Sequence, residues 1–142
     1  MSEKTIEEQI LSVLEEDAQA SYSEIADRVG VSKPTVRKYV DKLESEGLIV
    51  GYSAEVDPKK LSGHSIAIVG IDVESERYVE VTPKLKDLEA VEALYTSSGD
   101  HPLMAEIRAG DGDELGQIIN EQIVGMHGVT AACPAILQER LK

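Results

Sequence analysis

SYSEIADRVGVSKPTVRKYVDKLESEGLI, residues 21 to 49, decides how this chain is read, because its apolar positions twice recur at helical spacing around a turn that contains glycine. In the first half Ile25, Ala26 and Val29 share a face, Ser23 is placed to cap the start and Gly30 to stop the end. After the turn, Ser32 caps a second helix. Its early Pro34 is tolerated because the N–H groups of a first turn have no partner within the helix. Val36, Val40 and Leu43 then face inward, and Gly47 ends the run. Two helices joined this way form a helix-turn-helix. The second one carries four cations: Lys33, Arg37, Lys38 and Lys42.

Upstream, KTIEEQILSVLEED (4 to 17) spaces Ile6, Ile10, Val13 and Leu14 as one helical face, with Thr5 as cap and Glu8 three residues on. Downstream, LIVGYSAEVD (48 to 57) alternates as a strand or wing, and DPKKLSG (57 to 63) reads as a linker broken by Pro58 and Gly63. Beyond it the periodicity changes. Strands are expected over 65–74, 91–99, 102–110 and 128–141, and helices over 78–89 and 111–126, in the order βαββαβ. Pro83 inside YVEVTPKLKDLE requires either a helix start there, with Thr82 as cap, or a kink. The predicted fold class is α+β. A winged helix-turn-helix spans residues 1–53, a connecting strand or linker 54–64, and a ferredoxin-like domain 65–142. Its antiparallel sheet carries both helices on one face. The other face is left for a partner to cover, which predicts a homodimer or a larger assembly.

The composition sharpens the question posed by the four cations. The 142 residues carry 27 Asp and Glu against 14 Lys and Arg, a formal net charge of -13. Such a balance ordinarily argues against nucleic acid. The acid is spread along the chain: residues 1–53 hold 6 basic and 11 acidic side chains, residues 54–142 hold 8 and 16. Sparse lysine, 4% aromatics and no Trp or Phe describe a protein adapted to a salt-loaded cytoplasm. No apolar run reaches the roughly 18 residues of a membrane span, and the polar start MSEKTIEEQ lacks a signal peptide pattern, so a cytoplasmic location is expected.

Three segments now carry a resemblance. SYSEIADRVGVSKPTVRKYVDKLESEGLI, YTSSGDHPLMAEI (95 to 107) and VGMHGV (124 to 129) together resemble the Lrp/AsnC, or feast/famine, family of transcription regulators over essentially the whole length. The resemblance implies an N-terminal DNA-binding domain and a C-terminal domain for effector sensing and oligomerisation, assembling as dimers and often as tetramers or octamers. It is also that of a halophilic archaeal member. Thr35, Arg37 and Lys38 are then expected at base edges or nearby phosphates. Ser32 and Lys33, at the positive end of the helix, are expected at phosphate, and Lys42 lies farther along the exposed side. The family's amino-acid-type effectors bind between dimers near a turn that corresponds here to Ser97, Ser98, Gly99, Asp100 and His101. A glycine turn frees N–H groups for a carboxylate, and hydroxyls with a carboxylate can hold an ammonium group. The sequence departs from the family at Pro102, where an aspartate is common.

Other chemistry is weakly encoded. His64, His101, His127 and Cys133 stand at no metal-binding spacing, so no metal or cofactor is expected. Cys133, in an apolar strand, is expected in the core. No nucleophile with its base and no phosphate loop occurs, so the chain is not read as an enzyme. The alternatives are a siroheme decarboxylase-like enzyme of the same two-module architecture, and a hetero-oligomeric partner regulator without an operator of its own.

Overall fold

The computed structural model describes residues 2–58, 60, 61 and 63–142; Met1 and the expected linker residues Lys59 and Ser62 lie outside the described residues. The chain divides into two compact units, Met1–Glu55 and Val56–Lys142.

The first unit has three helices: α1 (Ile6–Glu16), α2 (Tyr22–Val29) and α3 (Lys33–Ser45). Both α1 and α2 open with reciprocal capping boxes, Thr5 with Glu8 and Ser21 with Glu24. The cap of α2 is therefore Ser21, not Ser23, which lies inside the helix. Gly30 ends α2 in the left-handed conformation (φ 81°) that a side chain disfavours. At the end of α3 the Leu48 N–H donates to the Leu43 carbonyl and the Gly47 N–H to Glu44, the paired bonds of a Schellman closure. Ile10, Val13, Ile25, Ala26, Val36 and Val40 form the core. The strand expected over 48–57 is absent among the described residues. Its apolar alternation is real, but among the described residues it joins no strand ladder, and Val50 is left 95% exposed.

The second unit is β1 (Ser65–Val73), α4 (Tyr78–Lys86), β2 (Val91–Thr96), β3 (Leu103–Ala109), α5 (Gly112–Gln117) and β4 (Val129–Ile136), with a 3₁₀ turn at Ser75–Arg77 and a π-helical continuation of α5 at Ile118–Val124. The strands pair antiparallel in the order β2-β3-β1-β4. Alternate residues Ala67, Val69 and Ile71 of β1 and Leu103, Ala105 and Ile107 of β3 form the core with Val81, Leu85, Leu115 and Ile123 from the helices.

Three expectations change here. Thr82 is not a cap: α4 runs through Pro83, and the Thr82 hydroxyl donates to the Tyr78 carbonyl at 2.7 Å. An interior proline costs about 3 kcal/mol, but burying Val81 and Leu85, one turn apart, returns about 1.5 to 3 kcal/mol each. The helix expected over 111–126 widens into a π segment. Ile118 and Ile123, both buried, would diverge by about 140° on an ordinary helix, and i to i+5 bonding draws them to one side. Lastly, β4 stops at Ile136 and Cys133 is exposed, because pairing with Gly70 turns it to the sheet face away from the helices. No helix among the described residues is long and apolar enough to cross a membrane.

Candidate nucleic-acid interface and effector turn

Helix α3 presents its charges in three different states. Val36, Val40 and Leu43 are buried, so the opposite side is solvent-facing. Lys33 and Lys38 are exposed and, among the described residues, form no ion pair. Lys42 is committed: its ammonium donates to Glu7 of α1 at 2.5 Å, and that bond, reinforced by the carboxylate charge, holds its pKa above the ordinary lysine value. Arg37 makes no ion pair among the described residues, but its guanidinium carbon lies 5.9 Å from the centre of the Tyr22 ring. Ser32 is the N-cap of α3. Its hydroxyl accepts the Thr35 N–H at 3.3 Å and lies 2.8 Å from the Thr35 hydroxyl, so these two expected contact residues also bond to each other.

Beside this face, the Tyr52 hydroxyl donates to Glu44 at 2.8 Å. Partial burial and that bond push the Tyr52 phenol up to about 12, so it stays a protonated donor. Neither the tyrosines nor Glu7 were legible as part of this surface from spacing, since each reaches α3 from another segment.

At the effector turn the expected residues are close in sequence but unequal in role. The Ser97 N–H donates to the Pro102 carbonyl at 2.9 Å, closing the hairpin. The Gly99 N–H, expected to be free, donates to the Ser97 hydroxyl at 3.1 Å. Ser98 and Asp100 are exposed. His101 turns back over the sheet, with Nδ1 2.9 Å from Asp72 Oδ1; an ionised carboxylate can only accept, so Nδ1 carries the hydrogen. Its ring fills the space above Gly70, where a Cβ would stand 2.2 Å from His101 Cδ2. Gly70 thus reads as a socket for the histidine that ends the turn. Gly70→Ala is expected to expel the ring, break the Asp72 bond and cost about 1 to 3 kcal/mol of stability. Urea unfolding measures the cost, and the His101 imidazole resonances report the displacement.

A cavity of about 590 Å³ opens at the other end of β3, lined by His64, Glu92, Arg108, Gln117 and Glu121 among others. Arg108 Nε is buried there without an acceptor among the described residues; Glu92 Oε1, at 3.8 Å, is too far for a hydrogen bond. Among the described residues, no three His, Cys, Asp or Glu side chains are grouped to hold a metal ion.

Comparison with known proteins joins the two units. Residues 4–50 match the family described as winged helix-turn-helix DNA-binding, and residues 66–142 the family described as Lrp/AsnC ligand binding domain. The HTH-type transcriptional regulator LrpA1 of Halobacterium salinarum is 67% identical over 142 residues, covering 100% of both chains. LrpA of Pyrococcus horikoshii is 47% identical over 133 residues, 94% of each. Among solved structures, the Mycobacterium tuberculosis leucine response regulatory protein superposes with a TM-score of 0.82 at 25% identity, covering 99% of this chain and 95% of that one. Escherichia coli AsnC shares the fold, with a TM-score of 0.74 at 24% identity over 100% of this chain and 96% of its own. The Halobacterium relative supports the salt adaptation read from the acidic composition and the halophilic archaeal membership that the resemblance implies.

Proposed function

Because this chain belongs to the Lrp/AsnC family of transcription regulators, we propose that it reads duplex DNA with the N-terminal half of α3 and that a small amino-acid-like effector, bound between dimers at turn 97–102, modulates the binding. Arg37 and Lys38 take base edges or adjacent phosphates, with Thr35 beside them; Ser32 and Lys33 take phosphate at the helix N-terminus. Lys42, paired to Glu7, serves the phosphates only by exchanging that carboxylate for one. The observation that carries this reading is that a chain with a net charge of -13 leaves Lys33 and Lys38 exposed on one helix and, among the described residues, without a carboxylate partner. Cations left open in this way suit a surface that meets phosphate. In molar salt counterion release adds little affinity, so specificity rests on base contacts and DNA shape.

A second copy covers the sheet face away from the helices, and the protein works in the cytoplasm. The relatives carry regulator names, which supports a role without catalysis and disfavours the decarboxylase alternative. The test is selection of bound sequences from a random duplex pool at high potassium chloride, with and without a mixture of amino acids. Enrichment of a pseudo-palindrome is the expected result, and its change with amino acids would establish effector sensing. No enrichment in either condition would favour a partner-dependent regulator.

A further inference from the structure

The assignment of Arg37 to DNA leaves open how a long, exposed side chain is kept in one pose. We infer that Tyr22 is the positioning residue for Arg37, a specificity element supplied to the recognition helix by α2; this rests on the reading of Arg37 as a base contact. An arginine free to sample its rotamers must give up side-chain entropy to be fixed. The usual restraint, a carboxylate, would fix it by consuming its N–H donors and its charge, as Glu7 does to Lys42. An aromatic face attracts the cation and uses none of its donors. Arg37 sits 5.9 Å over the Tyr22 ring, within the range of that attraction.

The ring is itself held. Tyr22 is the first residue of α2, inside the Ser21–Glu24 capping box, and it is half-buried against the core of its unit. The competing acids are quiet: Glu44, two turns along α3 from Arg37, accepts the Tyr52 hydroxyl, and Asp41, one turn along, makes no ion pair with Arg37. The result is a guanidinium restrained by packing, with its hydrogen-bonding edge uncommitted among the described residues.

The experiment measures binding of the full-length protein to its selected duplex and to an unrelated duplex at one salt concentration, for Tyr22→Leu, Tyr22→Phe, Arg37→Ala and the Tyr22→Leu/Arg37→Ala double variant, with thermal melts as the folding control. Tyr22→Leu is expected to lose about two- to fivefold on the selected duplex, little on the unrelated one, and nothing further once Arg37 is absent. Tyr22→Phe, which keeps the ring, should bind like the parent. Loss by Tyr22→Leu that persists in full without Arg37, or no loss where Arg37→Ala binds poorly, overturns this inference alone. Normal binding by Arg37→Ala overturns the base-contact reading and the inference with it. A measurement on the unmodified protein needs no variant and no operator: ring-current shielding should move the Arg37 side-chain protons upfield of those of the other arginines, and unshifted protons would overturn the proposal.

Discussion

Arg37→Ala is expected to weaken binding to the selected operator by about 1 to 3 kcal/mol, roughly five- to 150-fold, if Arg37 makes a bidentate pair with guanine. Fluorescence anisotropy on a labelled duplex, at fixed potassium chloride, checks it. The diagnostic part is the comparison between sequences. Loss confined to the selected duplex, and relieved by changing the base pair that Arg37 reads, identifies a base contact. Equal loss on every duplex, with a shallower salt dependence, identifies a phosphate contact. The structure sets up this contrast within one helix, since Arg37 and Lys38 are one residue apart but only Arg37 lies over an aromatic ring. Lys38→Ala serves as the comparison.

The second large effect is on stability. Ile25 is fully buried in the first unit, whose core consists of a handful of side chains. Ile25→Ala removes three carbons from that core, at a cost of about 2 to 5 kcal/mol. A unit of this size has a total stability of only about 3 to 8 kcal/mol. The substitution therefore removes a large part of that margin, and the three-helix unit is expected to unfold at a clearly lower urea concentration than in the parent while the sheet unit, with its own core, is unaffected. In amide correlation spectra recorded through a urea titration, residues 2–55 should reach the narrow dispersion of an unfolded chain before residues 65–136 lose their native shifts. Loss of both sets together would show that the two units fold as one.

Much of this molecule was written plainly in its sequence, and the exceptions share a cause. The three helices of the first unit and the order of the second follow from local periodicity. The cap of α2 was also legible: Ser21 is followed three residues on by Glu24, the capping-box spacing, whereas Ser23 is followed by Ala26. At Pro83 the local rule leaves a helix start and a kinked helix both open, and the burial of Val81 and Leu85 decides for a helix that runs through it. The orientation of Cys133 could not be read from TAACPAI, a run with too little polar contrast to reveal which residues face the core; its pairing with Gly70 settles it. At the site, Lys33, Arg37, Lys38 and Lys42 were recognisable as exposed positions on a helix, whereas Thr35 is half-buried. What distinguishes them from one another was not: Lys42 is held by Glu7, 35 residues away, and Arg37 by Tyr22 on the preceding helix. The same holds for the turn, where the role of His101 depends on a glycine and an aspartate of β1.

The separation of the two cores has a consequence for how such a protein diverges. Substitutions that share no packing partners add their effects on stability almost independently, and the buried side chains around Ile25 and those around Ile107 belong to different clusters. A lineage can therefore rewrite which DNA it reads, one destabilising step at a time, and repair the damage inside the same small bundle of helices. The sheet inherits none of that debt, so the history of the reader and the history of the sensor can run at different speeds in one gene.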